Sequence, residues 1–151
     1  MDRIVITSGF FNPIHVGHIN LFREAKKMGD YLVVVVNNDK QVGLKGSVPF
    51  MSEEERMEII KSIRYVDEVF LSIDSFIDGK EVPISESIEA VAQKYKGKLI
   101  FAKGGDRDIN HIPLPEKIIC EKYNIEVVTN VGGGKIQSSS WLLNSISKQK
   151  K

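Results

Sequence analysis

Apolar and polar residues form two alternating patterns along this chain. Short apolar runs of strand length are separated by segments in which apolar residues recur at three- or four-residue spacing, which predicts helices between strands. The run at 31–36 is hydrophobic throughout, as expected of a strand covered on both faces of a parallel sheet. The predicted strands are Ile4–Thr7, Tyr31–Val36, Val66–Leu71, Lys98–Ala102 and Val127–Thr129.

The helices predicted between these strands have recognisable ends. The first runs from His15 to Met28 and stops at Gly29, a residue typical of helix ends. The next opens with Ser52 and a run of glutamates, which resembles a capping box, and continues through Ile63. The remaining helices are Ser85–Tyr95, Pro115–Tyr123 and a terminal helix from Ser138 whose Trp141, Leu142 and Ile146 are expected to face inward.

This alternation predicts the fold class. Five strands separated by helices, without repeats, indicate a single doubly wound α/β domain over residues 1–151, Rossmann-like and built on a five-stranded parallel sheet. A chain of 151 residues is long enough to bury one core. In such sheets ligands bind beyond the carboxyl ends of the strands, where strand order reverses. Functional residues are therefore expected just after the strands.

The composition indicates which binding partners and which cellular compartment to expect. Lysine and arginine number 21 against 20 acidic residues, a net charge of +1, which gives no reason to expect nucleic acid or an anionic membrane as partner. The single cysteine, Cys120, cannot form an internal disulfide, so a cytoplasmic location is expected. It lies in an apolar stretch and is predicted to be a buried thiol, not a nucleophile. No signal peptide or membrane-spanning run is evident.

The segment after the first strand carries the strongest chemical signal. His15 and His18 are three residues apart, so at a helix start both rings share one face, and Gly17 between them leaves room for an anion. Gly9 permits backbone to approach a ligand closely. Two imidazoles there can stabilise a bridging phosphate oxygen. Two other interpretations are surface histidines, or half of a metal site for which His111 is the only other histidine.

Two later glycine-rich segments also follow strands. After the fourth strand, Gly104-Gly105-Asp106-Arg107 combines flexible backbone with charge, although a plain turn explains the glycines equally well. Before the last helix, a run of three glycines and Lys135 precedes three serines at 138–140, a pattern that favours a second anion site at a helix start. An ordinary helix cap after a flexible turn is the alternative.

Together these segments resemble the cytidylyltransferase-like nucleotidyltransferase superfamily. The glycine-led loop followed by His15-Val16-Gly17-His18 is similar to its signature, and the serine run is similar to its carboxyl-terminal phosphate loop. Gly29–Val34 and Arg64–Val69 resemble segments of glycerol-3-phosphate cytidylyltransferases, whereas Lys103–Asp106 resembles the heptose-phosphate adenylyltransferases. Residues 72–97 match neither clearly.

The resemblance implies an enzyme and a reaction. A nucleoside monophosphate, CMP from CTP in the first instance, would pass to a small phosphorylated polyol, sugar or phosphonate with release of pyrophosphate. Two alternatives are an ATP-dependent adenylyltransferase acting on a sugar phosphate, and a non-catalytic nucleotide-binding regulatory module. The resemblance also implies Mg²⁺, bound mainly through the triphosphate, and a homodimer.

Site residues are implied position by position. His15, His18 and Lys45 would be catalytic, and Arg56, Arg64 and Arg107 would bind phosphate or the acceptor; alone, Lys45 and both helical arginines could be surface residues, and Arg64 with Asp67 could belong to a subunit interface. Asn12, where cytidylyltransferases often have aspartate, and Ser47 depart from the pattern, and an arginine before the serines is missing. The nucleotide-binding set is Ser8, Gly9, Phe10, Phe11, Gly17, Gly104, Asp106, Lys135, Ser138, Ser139 and Ser140.

Overall fold

The protein is built on one five-stranded sheet in which all paired strands are parallel. A computed structural model describes residues 2–105, 112–133 and 138–149. The strand order is β3-β2-β1-β4-β5. The predicted doubly wound, five-stranded parallel α/β fold is confirmed. The strands are β1 (Arg3–Gly9), β2 (Tyr31–Val36), β3 (Glu68–Leu71), β4 (Lys98–Gly104) and β5 (Glu126–Val131).

Six helices connect or follow these strands in the described part of the chain. One of them, which spans six residues, was not predicted because it is too short to show a hydrophobic period. The side chain of Asn38 caps it by accepting a hydrogen bond from the backbone N–H of Gln41. The helices are α1 (Val16–Lys26), α2 (Asp39–Leu44), α3 (Glu53–Lys61), α4 (Ser85–Lys94), α5 (Leu114–Lys122) and α6 (Ser139–Gln149).

Alternate residues of each strand supply two separate hydrophobic layers. On β1, Ile4 and Ile6 point into a layer completed by α4 and α5, which we call the α4–α5 face. Val5 points into the opposite layer, completed by α1 and α3, which we call the α1–α3 face. Because both faces are covered, the central strand β2 is hydrophobic throughout, as its sequence predicted.

Two sequence expectations about the core have different outcomes. The prediction that Cys120 is buried is confirmed, and burial raises the pKa of its thiol to about 11, so it is protonated at neutral pH. The expectation that Trp141 and Ile146 face inward is wrong, because they are 50% and 47% exposed. Leu142 and Leu143 are the partly buried residues of that turn.

No helix in the described ranges is long and apolar enough to span a membrane.

Strand order reverses between β1 and β4. The chain moves from β1 outward to β2 and β3, then returns to the other side of β1 to form β4 and β5. The connections therefore diverge above the carboxyl ends of β1 and β4 and leave a crevice there, which is where ligands bind in open parallel sheets.

Candidate active site

A cleft of about 630 Å³ occupies this crevice. The ends of β1, β4 and β5 form its floor, and the amino ends of α1 and α6 form one wall. Predicted site residues that line it are Ser8, Gly9, Phe10, Phe11, His15, Gly17, His18, Lys45, Gly104, Ser138 and Ser139. The structure thus brings the histidines from the amino half and the serines near the carboxyl end into one cleft; their contact with a nucleotide stays a prediction.

The two imidazoles are stacked and their proton positions follow from the backbone. Their ring centroids are 3.8 Å apart. Nδ1 of His15 accepts a hydrogen bond from the N–H of Gly17, and Nδ1 of His18 accepts one from the N–H of His15, each at 3.1 Å. Because a nitrogen that accepts carries no proton, the proton of each neutral ring lies on Nε2. Each ring therefore presents its proton on Nε2 at the helix start.

His18 is held in its neutral form. Burial, together with the neighbouring His15, lowers the pKa of His18 from 6.5 to about 3. Protonation would also place a second hydrogen on Nδ1, facing the N–H that this atom now accepts. At neutral pH the ring is consequently a neutral hydrogen-bond donor through Nε2, not a cation.

Phe11 supports His18 from below. Its ring meets the His18 ring edge-on at 4.8 Å and the Phe22 ring at 5.5 Å. Phe11 adopts a left-handed backbone conformation with φ of 53°, and its side chain is buried. A Cβ on Gly9 would lie 2.8 Å from this ring. Glycine at position 9 therefore leaves room for the Phe11 ring, and the close ligand approach expected from sequence stays a prediction.

The serines attach the last helix to the histidine loop. The Ser138 hydroxyl accepts a hydrogen bond from the N–H of Trp141 at 3.0 Å, so Ser138 caps α6. The Ser139 hydroxyl donates to the Pro13 carbonyl at 2.7 Å. Both hydroxyls therefore have structural partners, and a helix start is also a place where backbone N–H groups favour an anion.

The side of the cleft facing α4 and α5 contains a buried ion pair. Nζ of Lys103, at the end of β4, lies 3.4 Å from Oε1 of Glu116, in the first turn of α5. The side chains are only 11% and 4% exposed. No sequence pattern points to Glu116, since a glutamate in the first turn of a helix is ordinary, and Lys103 stands out only as part of the Lys103–Asp106 motif.

Similarity to known proteins identifies the family of this chain. The sequence profile described as Cytidylyltransferase-like matches residues 6–140, nearly the whole sheet and all of the cleft's strands. The chain belongs to the cytidylyltransferase-like family. Members of this family are nucleotidyltransferases, so this protein is an enzyme of that class, as predicted.

The proteins that are similar in sequence to this chain have names that state different activities. It is 37% identical to an FAD synthase of Thermococcus sibiricus, covering 82% of this chain and 77% of that one. It is 34% identical to the glycerol-3-phosphate cytidylyltransferase of Bacillus subtilis, covering 82% and 95%. It is 35% identical to the bifunctional protein HldE of Koribacter versatilis, covering 87% of this chain but 25% of that one.

Among solved structures, the family member resembles a lipopolysaccharide core biosynthesis protein from Thermoplasma volcanium GSS1. The TM-score is 0.63 at 27% identity, with 86% of this chain and 96% of that chain covered. The predicted resemblance to the nucleotidyltransferase superfamily is confirmed. The named relatives differ in substrate, so neither the nucleotide nor the acceptor follows from the family alone.

Arg56, expected to bind phosphate, has a structural position instead. Its side chain is buried, it is absent from the cleft lining, and the residue is 1% exposed. Nη1 donates to the carbonyls of Phe10 and Asn37, Nε donates to that of Met51, and Nη2 pairs with Asp39 at 2.6 Å. A guanidinium with these partners holds three loops together and is not available to a substrate phosphate.

Asn12 completes this loop support. Its side-chain N–H donates to the Val48 carbonyl, and its side-chain oxygen accepts from the N–H groups of Phe50 and Met51. The departure from the usual aspartate thus has a physical reason, because only an amide can donate and accept here. Residues 48–51, which the Asn12 side chain holds in place, follow Lys45 in the chain. Nζ of Lys45 lies 5.5 Å from the Phe10 ring centroid at the cleft.

Arg64 is also placed away from the cleft. It precedes β3, and the amino ends of parallel strands lie at the sheet edge opposite the cleft. The residue is exposed and its guanidinium lies 5.6 Å from the Tyr65 ring centroid. Arg64 is not among the residues that line the cleft, and its phosphate role stays a prediction. Asp67 at the same edge accepts from the N–H of Leu32 and pairs with Lys26.

Other predicted site residues fall outside what the structure describes. Asp106, Arg107, His111 and Lys135 lie outside the described residues, as does the side chain of Ser140. Their assigned roles stay predictions.

The lowered pKa of His18 leads to a stability prediction. Because the folded state binds the proton only near pH 3 while the unfolded chain binds it near 6.5, unfolding takes up a proton below 6.5. The free energy of unfolding should fall by at most about 1.4 kcal/mol per pH unit below 6.5 from this residue. Urea unfolding between pH 7.5 and 4.5 of wild type and His18→Asn measures it. Equal pH slopes for the two proteins would contradict the assignment.

Proposed function

We propose that this enzyme transfers a nucleoside monophosphate from CTP or ATP to the phosphate of a small phosphorylated acceptor and releases pyrophosphate. The supporting observation is that two anion-binding features open on one cleft: the paired Nε2–H donors of His15 and His18, and the amino end of α6. Each is of a kind that stabilises phosphate oxygens.

The chemistry requires no general base. The acceptor's phosphate oxygen is already anionic near neutral pH, and it attacks the α-phosphorus of the triphosphate. The bond from that phosphorus to the oxygen bridging the α- and β-phosphates breaks, and the electron pair leaves with pyrophosphate. Imidazole N–H groups at the bridge donate hydrogen bonds that strengthen as charge accumulates on that oxygen. Catalysis is then positioning and electrostatic stabilisation.

Lys45 has the position and chemistry for a moving charge. It is the C-cap of α2 and lines the cleft. A flexible ammonium there can follow the α-phosphate or the acceptor's phosphate as the bond forms. This role of Lys45 is part of the proposed function and is tested by the same measurement of pyrophosphate release.

Mg²⁺ fits this proposal as a partner of the nucleotide. Among residues 2–105, 112–133 and 138–149, no group of three histidine, cysteine, aspartate or glutamate side chains could hold a metal ion. Mg²⁺ commonly binds through substrate phosphates and water with few protein ligands. The ion would screen the charge of the leaving pyrophosphate, and the side chains described above perform the remaining roles.

The two candidate activities differ in the nucleotide that the enzyme uses. CTP is favoured by similarity to the glycerol-3-phosphate cytidylyltransferase, at 34% identity over nearly that whole protein. ATP is favoured by the FAD synthase at 37% identity, since FAD contains an adenosine group, and by the Lys103–Asp106 motif. A homodimer remains part of the proposal by analogy with the family.

Pyrophosphate release tests the proposal. Purified protein with Mg²⁺ and either CTP or ATP is mixed with glycerol 3-phosphate, flavin mononucleotide or a sugar 1-phosphate, and pyrophosphate is coupled to pyrophosphatase. We expect release that depends on one triphosphate and one phosphorylated acceptor. Nucleotide binding without release for any acceptor would support instead the non-catalytic regulatory module and would refute the enzyme proposal for this chain.

A further inference from the structure

The cleft has two lobes on opposite sides of the sheet edge. On β4, Phe101 belongs to the α4–α5 face and Ala102 to the α1–α3 face. Lys103 returns to the α4–α5 face, where its Nζ lies 4.8 Å from the Phe101 ring centroid. Gly104 then faces α1, because a Cβ there would lie 3.3 Å from Leu21. The histidines and serines line the lobe at α1, which we call the histidine lobe.

The second lobe, which we call the Lys103 lobe, is formed by Glu81, Val82, Ile84, Lys103, Pro113 and Glu116. Its polar groups are fixed in place. Oε2 of Glu116 accepts a hydrogen bond from the N–H of Ile84 at 3.1 Å, and Oε1 faces Lys103. An ammonium has three donors and a carboxylate about four acceptor sites, so both groups retain capacity for a ligand.

Stability alone does not account for this pair. Removing two charges from water costs several kcal/mol per ion, and well-packed apolar residues serve a core equally well. The pair sits at the wall of a cleft, not deep in a core. Buried charges in such a position are candidates for ligand binding.

The geometry of the reaction assigns the lobe to one substrate. Phosphoryl and nucleotidyl transfer place the attacking and leaving oxygens roughly in line on opposite sides of phosphorus. If pyrophosphate leaves toward α6 in the histidine lobe, the attacking oxygen arrives from across the sheet edge. That side presents an ammonium, which suits a phosphorylated acceptor, whereas an uncharged nucleobase has no need of one.

Resting on the proposed function, we propose that the Lys103 lobe binds the acceptor and that Glu116 determines its class. Lys103 binds the acceptor's phosphate, and Glu116 both positions that ammonium and accepts a hydrogen bond from an acceptor hydroxyl. Glu81 adds a second carboxylate to the lobe. Because carboxylates only accept hydrogen bonds, the acceptor is a phosphate ester with hydroxyl groups near its phosphate.

Variants at these two positions test the assignment. Glu116→Gln keeps an oxygen for the N–H of Ile84 but loses the charge, and should raise the acceptor's KM at least tenfold while changing the triphosphate's KM less than twofold. Lys103→Met keeps the packing on Phe101 and should raise the acceptor's KM further. Glu89→Gln is the matched control, because it removes an exposed α4–α5 ion pair with Lys122. It should change neither KM.

The second part of the test compares acceptors that have hydroxyl groups near their phosphate with one that has none. Glycerol 3-phosphate and flavin mononucleotide carry hydroxyls beside their phosphate chain, and propyl phosphate has none. We expect kcat/KM at least tenfold lower for propyl phosphate in wild type, and a smaller difference in Glu116→Gln. Equal use of propyl phosphate, or variants that raise only the triphosphate's KM, would overturn the assignment.

Direct binding separates this inference from the proposed function. Calorimetric titration of wild type with glycerol 3-phosphate and with flavin mononucleotide needs no turnover. Binding of either that is lost in Lys103→Met supports the lobe even if pyrophosphate is never released, whereas absence of binding for both overturns it. Thermal unfolding of each variant shows whether the loss reflects misfolding.

Discussion

Replacing His18 with alanine is expected to lower turnover about 10²–10³-fold, which is the usual cost of losing one donor to a developing oxyanion. The change removes the Nε2–H donor of a ring that is neutral at working pH. It also removes the acceptor for the N–H of His15, so a small loss of stability is expected as well. Steady-state pyrophosphate release, with thermal unfolding measured alongside, gives both quantities.

Two further variants show which loss matters. His18→Asn can still accept from the N–H of His15 through its amide oxygen, but has no equivalent of Nε2; it should be as inactive as His18→Ala and more stable. Glu89→Gln removes an exposed ion pair with Lys122 outside the cleft lining and should keep turnover. Wild-type turnover in His18→Ala would remove His18 from the proposed mechanism.

Replacing Arg56 with alanine is expected to lower the free energy of unfolding by about 3–5 kcal/mol, the range for breaking a buried charged network. The substitution leaves the carbonyls of Phe10, Asn37 and Met51 without their donor and creates a cavity. Urea unfolding monitored by circular dichroism measures the change.

Arg64→Ala is the matched control for this prediction. Arg64 is exposed and lies just beyond the helix that carries Arg56, so its loss should change stability by about 0.5 kcal/mol or less and leave turnover unchanged. Equal stability for the Arg56 and Arg64 variants would show that the buried network contributes little. A large activity loss in Arg64→Ala without destabilisation would return Arg64 to the site, through a second subunit.

The sequence identified the histidine pair and the serine run because their signals are local. His15 and His18 share a helix face by spacing alone, and Ser138 stands at a helix start. Neither signal reports what the groups bond to. The Ser139 hydroxyl donates to the Pro13 carbonyl, a contact between residues distant along the chain that no local pattern shows.

The arginines show where reasoning by residue type fails. Arg56 and Arg64 have the same chemistry and belong to one stretch of chain. One is buried beneath the cleft's loops and the other is exposed at the opposite edge of the sheet. Glu116 is the reverse case, a helical glutamate of ordinary appearance that packing places beside Lys103.

The alternation of apolar strands and helical periods determined the parallel α/β fold, since burial on both faces of a sheet imposes that pattern on the chain itself. The family signature likewise lies within single loops, where spacing is enough to show it. Only the tertiary structure decided which charges face the cleft. The hydrogen-bond partners of Arg56, Asn12 and Glu116 come from segments far apart in sequence, and a side chain's availability to a ligand depends on those partners.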